Sequence, residues 1–379
     1  MILDCSHEFA DFGGVAYLNT AYEGPLPLAA VAAAQKALEW KLRPDRLPYS
    51  LHFDLPDRIR GKLAQLFAAD ADDFAITTGA SAGLASVAAG VDWRPGDEVF
   101  IARGEFPAHF SAWLAYQNAG KLNMKVFAPR GRFVTADDYL EHLTPRTRVV
   151  SASYVRFDDG ARLDSARVGE ACRANGTLLA LDVSQCAGSM PLSMSALGAD
   201  FTMCSGYKWL LGPYGTGFFW VKRESGEKLP LGATYYSALE GARNAHTLPL
   251  TKQRAVAGAR RWDTPETASF TNLAALEASL DLLLRTGLEK AAGHTAALIK
   301  QVLDDMPTDS FTLASPVESE RRGPYVCVQA PTLERTQAMQ EKLRAAEVHV
   351  SLREGALRIA PFIYNSPANV SRLIEVLRA

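Results

Sequence analysis

The chain has 379 residues, of which 48% are hydrophobic and 22% charged, and its formal net charge is −2. This length allows two domains with a large buried core. The balanced charge does not indicate the basic surface that nucleic-acid binding requires. No apolar run is long enough to span a membrane, and the first residues lack the regions of a signal peptide. The five cysteines are scattered, which indicates neither disulfides nor a metal site. We therefore expect a cytoplasmic protein that binds neither membranes, nucleic acid nor metal.

Helical and β-rich segments alternate along the first 245 residues. Helical periodicity is clear in LAAVAAAQKALEWKL and PDRIRGKLAQLF. Seven β-rich runs follow, bounded by turn residues: FAIT, EVFIA, MKVFA, RVVSASYV, TLLALDV, DFTMCS and GFFWV. This alternation predicts an α/β fold in which a mostly parallel seven-stranded sheet lies between helices.

The pattern changes near residue 245. The long helical stretch ASFTNLAALEASLDLLLRTG precedes a smaller α+β segment that contains PYVCVQA and ALRIAPF. We predict a large α/β domain at residues 16–245, and a small α+β domain formed by residues 246–379 with the N-terminal segment 1–15. A ligand site is expected near the junction of the two.

A candidate anion site lies in TTGAS, where a β-rich run turns into a helical pattern. Thr78, Gly79, Ala80 and Ser81 would lie at a helix N-terminus, where free N–H groups and the helix dipole favour a phosphate. An ordinary capped turn is the alternative. The stretch matches neither a Walker motif nor GxGxxG, so a dinucleotide is not indicated.

Two further polar residues follow predicted strands. Asp182 ends the apolar run in TLLALDVSQCAG, with Gln185 three residues later; it is either a ligand-binding acid at a strand end or a helix cap. Lys208 lies in SGYKWLLGPYGTGFFWV, and is either a surface lysine near a hairpin turn or a buried amine for covalent chemistry with a carbonyl. Phe106, in FIARGEFPAHFSAW, is either core or a platform for a flat cofactor.

The order of these features is informative. A phosphate site, an aromatic ring, an acid and a lysine, each at a strand end, describe a site for a phosphorylated aromatic aldehyde. Pyridoxal 5'-phosphate (PLP) is such an aldehyde, and its chemistry requires a lysine and an acidic partner for the pyridine nitrogen.

At these residues the chain resembles the class V aminotransferase family of fold-type I PLP-dependent enzymes, which includes cysteine desulfurases, selenocysteine lyases and isopenicillin-N-epimerase-like proteins. The resemblance extends from AYLNTAYEGPLP to LRIAPFIYNSPANV and is most specific in LDVSQCAG and SGYKWLLGPYGTGFF. It implies that Lys208 is the Schiff-base lysine, Asp182 the partner of the pyridine nitrogen and Gln185 the partner of the phenolic oxygen. It also implies a phosphate cup, by which we mean Thr78, Gly79, Ala80, Ser205 and Tyr207.

The resemblance assigns further residues outside these motifs. Phe106 takes the position of a histidine that stacks on the ring in desulfurases, which leaves His109 as nearby support. Thr264, in WDTPE, resembles a threonine that reaches the neighbouring subunit's cofactor, which implies a homodimer with shared sites. Arg358 resembles the arginine that binds the substrate α-carboxylate, and Asn19 lies in the segment that lines the substrate pocket. A surface strand arginine is the alternative for Arg358.

A desulfurase feature is missing. The family's nucleophilic cysteine lies shortly before the carboxylate-binding arginine, where this chain reads EVHVSLREGALRIAP. Cys327 lies in an apparent core strand, where a thiol is usually inert. We therefore expect an aminotransferase for a small amino acid, with an epimerase or carbon–sulfur lyase as the alternative. A PLP-binding regulator without turnover remains a further possibility.

Overall fold

The computed structural model describes residues 2–229, 235–247, 253–267 and 269–379. Within that part of the chain, seven strands form the central sheet, in the order β2-β8-β7-β6-β5-β3-β4. Only β8 runs against its neighbours among these described strands. The strands are β2 (Phe74–Thr77), β3 (Glu98–Ala102), β4 (Asn123–Phe127), β5 (Thr147–Ser153), β6 (Leu178–Asp182), β7 (Phe201–Ser205) and β8 (Gly217–Val221). All seven predicted β runs are confirmed, and so is the fold class.

Helices cover both faces of this sheet. The helices of the described chain are α1 (Leu28–Leu42), α2 (Leu51–Leu66), α3 (Ala80–Gly90), α4 (Ala108–Asn118), α5 (Ala136–Leu140), α6 (Ser165–Asn175), α7 (Arg223–Gly226), α8 (Phe270–Thr286), α9 (Leu288–Asp305), α10 (Leu333–Ala345) and α11 (Pro367–Arg378). Of these, α10 and α11 pack in a separate C-terminal core instead. Successive residues of β6 alternate between two cores, because Leu179 and Leu181 pack with α2 and α8, whereas Ala180 packs with α3 and α4. Burial on both faces explains why these runs are almost continuously apolar.

A smaller sheet lies in the C-terminal part. It has the order β12-β13-β10-β9 and is antiparallel, while β1 pairs with β11 in parallel. The strands are β1 (Ala16–Tyr17), β9 (Thr312–Leu313), β10 (Val326–Gln329), β11 (Val348–His349), β12 (Ser351–Arg353) and β13 (Ala356–Ile359). The domain boundary at residue 245 stays a prediction, and α8 on its C-terminal side shares a core with α2.

The sheet geometry positions a site. Because β5, β6 and β7 are parallel neighbours, their carboxyl ends place Ser153, Asp182 and Ser205 at one edge of the sheet. Among the described residues, no helix is long and apolar enough to cross a membrane. The same residues contain no cluster of three or more potential metal ligands.

Candidate active site

Lys208 lies in the connection between the antiparallel strands β7 and β8. It is only 8% exposed, and its Nζ lies 5.6 Å from the ring centroids of both Phe106 and Tyr207. The chain between β1 and α1 closes over the connection, since the N–H of Gly24 donates to the carbonyl oxygen of Tyr207 at 2.8 Å. A Cβ at Gly24 would lie 2.1 Å from the Lys208 carbonyl oxygen, so only glycine fits there. Lys208 is therefore not a surface lysine.

The surroundings of Lys208 favour a neutral amine. Burial lowers the pKa of Lys208 from 10.5 to about 8, with the charge of Asp182 acting against this shift and that of Arg358 adding to it. An amine with a pKa near 8 is a much better nucleophile and base at neutral pH than an ordinary lysine.

This lowered pKa predicts pH-dependent labelling of cofactor-free protein. Only the neutral amine reacts with cyanate, so carbamylation of Lys208 should rise through about pH 8, below the roughly 10.4 of ordinary lysines. Lys222, a half-exposed lysine, is the matched control. Peptide mass spectrometry across pH 6–11 measures both. The same midpoint for the two lysines would contradict the lowered pKa.

Asp182 and Gln185 lie at the carboxyl end of β6. Asp182 is 8% exposed, and its Oδ1 accepts a hydrogen bond from the N–H of Ser184 at 2.7 Å. A single turn follows directly, in which the N–H groups of Cys186 and Ala187 donate to the carbonyl oxygen of Val183, but the next described helix begins only at Ser195, so Asp182 caps no helix. Gln185 donates from Nε2 to the carbonyl oxygen of Ala21, and its buried Oε1 has no partner among the described residues.

The TTGAS stretch forms the start of α3, as predicted. Gly79 precedes the helix with a φ of 147°, a conformation that favours glycine, and a Cβ there would lie 3.1 Å from the Oγ of Ser205. The N–H of Ala80 donates to that same Oγ at 3.2 Å. The helix N-terminus and the end of β7 thus meet and leave open space beside Gly79.

A cavity of about 320 Å³ joins these elements. It is lined by Thr78, Gly79, Ala80, Ser81, Phe106, Asp182, Gln185, Ser205, Tyr207 and Lys208, all candidates from the sequence. Phe106 is 41% exposed and is therefore not a core residue. Reasoning from the sequence missed Ser153, Phe157, Ser184 and Tyr214, which also line the cavity. Of these, only Ser153 carried a signal, because it lies two residues before the end of the predicted run RVVSASYV.

Arg358 and Asn19 are not among the residues that line this cavity. Arg358 is 1% exposed, so it is not a surface arginine, and its Nη1 donates to the carbonyl oxygen of Phe157 at 2.9 Å. Its Nε has no partner among the described residues. Asn19 accepts a hydrogen bond from Ser351, which pairs with Arg358 across β12 and β13.

Thr264 does not line the cavity of its own chain. Its N–H donates to the carbonyl oxygen of Ile76 at 3.0 Å. The preceding residue, Asp263, fixes this segment, because its carboxylate accepts from the N–H of Ile76 and pairs with the buried Arg60. Thr264 is therefore held beside Ile76 of β2, which comes two residues before Thr78 of the phosphate cup.

The cavity fits PLP in its donor and acceptor groups. It holds a buried amine, a carboxylate at a strand end, an uncommitted amide oxygen on Gln185 and a helix N-terminus beside Gly79. A phosphate suits the helix N-terminus, and a pyridine nitrogen suits the carboxylate. The aldehyde would meet the amine of Lys208.

Known proteins have related sequences. The chain matches the family described as Aminotransferase class-V over residues 24–369. The "Probable cysteine desulfurase" of Methanothermobacter thermautotrophicus is 27% identical over 76% of this chain and 71% of that protein. Isopenicillin N epimerase of Streptomyces clavuligerus is 25% identical over 96% of this chain and 94% of that protein.

Solved structures agree in fold. The cystine C–S lyase C-DES, bound to its reaction product cysteine persulfide, has a TM-score of 0.84 at 21% identity, covering 96% of this chain and 97% of that one. A C-DES variant with glycine linked to its PLP cofactor has a TM-score of 0.86 at 21% identity, covering 98% of both chains. The match over nearly the whole length decides the assignment: this chain belongs to the class V aminotransferase family of PLP-dependent enzymes.

Proposed function

We propose that this enzyme transfers the amino group of a small α-amino acid, with Lys208 as the base that acts at Cα. The observation that carries the proposal is the buried amine of Lys208 on the cavity wall, with a pKa lowered to about 8. The other titratable groups on the described wall are Asp182 and two tyrosines, and burial raises the pKa of Tyr207 to about 12. A single proton carrier suits transamination, because the same amine can accept a proton from the substrate Cα and then release it to a neighbouring atom.

The residues of the cavity would hold the cofactor at three points. The phosphate cup would bind the phosphate, Asp182 the pyridine nitrogen, and Lys208 the aldehyde carbon. PLP, when bound, supplies an electron-withdrawing ring that stabilises negative charge at the substrate Cα. Arg358 would bind the substrate carboxylate and so orient Cα toward Lys208.

Carbon–sulfur lysis is the second candidate. None of the five cysteines lines the cavity, and burial raises the pKa of Cys327 to about 12, so no thiolate is placed to take sulfur from a substrate. A lyase whose sulfur leaves in the product needs no such thiol, only a base at Cα. Epimerisation ranks below both, because Phe106 beside Lys208 cannot carry a proton. The free cysteines support a cytoplasmic setting.

A panel of amino acids tests these reactions. The holoenzyme is incubated with each one, with and without pyruvate or 2-oxoglutarate. Transamination forms a new amino acid only when the 2-oxo acid is present. Ammonia and a sulfur product without a 2-oxo acid would instead establish a lyase, and inversion alone an epimerase. The absence of turnover with every substrate would favour a PLP-binding regulator.

We also propose a homodimer in which Thr264 reaches the partner's cofactor, because it does not line the cavity of its own chain. Thr264→Val should then weaken PLP binding roughly 10- to 100-fold, the loss expected for a hydrogen bond to a charged group. Mixed dimers test whether Thr264 acts in the site of its own chain or in that of its partner. A hybrid of Thr264→Val and Lys208→Ala chains should keep one intact site if Thr264 acts across the interface. A hybrid in which no site binds PLP with normal affinity would place Thr264 in its own chain's site.

A further inference from the structure

A buried polar cluster lies beside Asp182, and of its members Asp182 and Ser153 also line the cavity. Its centre is His109 of α4, which is fully buried. The Nε2 atom of His109 lies 3.9 Å from Oδ2 of Asp182 and also 3.9 Å from Oε2 of Glu105. These distances are too long for hydrogen bonds but short enough for strong electrostatic interaction in a dry interior.

The hydrogen bonds around His109 place a proton on Nε2. The hydroxyl of Ser153 donates to Oε2 of Glu105 at 2.6 Å, which uses its only proton. The 3.3 Å contact between Ser153 Oγ and His109 Nε2 therefore requires the imidazole to donate. Both carboxylates near Nε2 also favour a hydrogen there. On the other side of the ring, Nδ1 contacts the hydroxyl of Ser151 at 2.8 Å.

The charges around the imidazole of His109 explain why a proton is needed on its Nε2. Burial raises the pKa of Glu105, but His109, Arg156 and two hydrogen bonds from Ser153 outweigh burial and lower it overall. Glu105 is therefore an anion, with Arg156 at 3.6 Å. Arg156 also forms an ion pair with Asp158. The carboxylate of Asp182 faces Lys208 on its cavity side. Without His109, two buried carboxylates would face each other with no proton between them.

We propose that His109 is a positioning residue whose Nε2–H separates Asp182 from Glu105 and holds Asp182 as the anion that the pyridine nitrogen of PLP requires. The inference rests on the proposed role of Asp182. A buried histidine that only fills space is the alternative, and it predicts a loss of stability without a specific effect on the cofactor. The two accounts differ in whether His109 acts through Asp182.

A double-mutant cycle on PLP affinity separates them. The dissociation constant is measured by titrating cofactor-free protein with PLP, for the unmodified enzyme and for His109→Phe, Asp182→Asn and the double variant. We expect His109→Phe to weaken binding roughly tenfold alone but less than twofold when Asp182 is already replaced. His109→Gln, which keeps an N–H donor, should recover part of the loss. The buried His294, far along the chain in α9, provides the control variant His294→Phe, which should leave the dissociation constant unchanged.

The outcomes separate the two proposals. Equal effects of His109→Phe in both backgrounds, or no effect in either, would overturn the positioning role. An unchanged affinity in Asp182→Asn alone would instead overturn the assignment of Asp182 as ring partner. A second readout needs no cofactor: the imidazole Nε2–H resonance of His109, assigned by its loss in His109→Gln, should move when Asp182 is replaced. An unmoved resonance would contradict the contact.

Discussion

Replacing Lys208 with alanine should lower kcat by about 10³-fold or more while leaving the protein folded. The amine is expected to bind the cofactor covalently, and it is the only side-chain amine on the described cavity wall. Burial lowers its pKa to about 8. Because burial disfavours the charged form of this lysine, its removal should not lower the free energy of unfolding. Activity and the thermal midpoint of unfolding are measured together. Lys208→Arg, which keeps a charge but no neutral amine, should be equally inactive.

Covalent mapping provides the direct control. Borohydride treatment of the unmodified holoenzyme should leave the cofactor attached to Lys208, as seen by peptide mass spectrometry. Lys222→Ala, at a half-exposed lysine, should keep full activity and the label at Lys208. Attachment at any other lysine would contradict the assignment of Lys208 as the lysine that binds the cofactor.

Replacing Arg358 with alanine should reduce kcat/KM for α-amino acids and leave cofactor binding intact. A desolvated guanidinium–carboxylate contact contributes roughly 2–5 kcal/mol, which corresponds to a loss of about 30-fold to several thousandfold. Arg358 is 1% exposed, is held by the carbonyl oxygen of Phe157, and has an uncommitted Nε, so it is fixed and desolvated before substrate arrives. Burial lowers the pKa of Arg358, and an anion would relieve the cost of this isolated charge.

Two comparisons make this result specific to the carboxylate. Amines without a carboxylate should lose little rate, since they never use the contact, and Arg358→Lys should recover only part of the loss because an ammonium cannot bind in two-pronged fashion. Arg322, another buried arginine whose Nη1 donates to backbone carbonyls, supplies the control variant Arg322→Ala. Equal losses for amino acids and simple amines would show that Arg358 supports the fold instead.

The sequence was most informative where chemistry and periodicity coincide. Strand ends in a parallel sheet meet at one edge, so the TTGAS turn, Asp182 and Lys208 are expected together from the strand pattern, whereas Ser205 is assigned only by the family resemblance. Helix α1 was predicted to the residue, because its alanine-rich pattern is bounded by prolines. Helix α2 begins at Leu51, five residues before the pattern quoted from Pro56. Burial of Phe53 and Leu55 explains this extension.

Contacts that depend on the paths of loops could not be predicted from the sequence. Tyr214 and Phe157 line the cavity from connections whose course no periodicity specifies. The position of His109 between two carboxylates depends on the turn that begins α4, and Glu105 gave no sign in the sequence of being buried. The role proposed for Thr264 involves a second chain and stays a prediction.

The pairing of β1 with β11 has a consequence for folding during synthesis. Ala16 pairs with Val348, and Asn19 bridges to Ala360, so the first strand meets partners made about 330 residues later. At typical translation rates, this segment waits roughly 20 s to a minute on the ribosome with Leu18 uncovered. Gly24, which closes the connection that carries Lys208, belongs to the same segment. The nascent enzyme should therefore become competent to hold its cofactor only after its C-terminal strands have emerged.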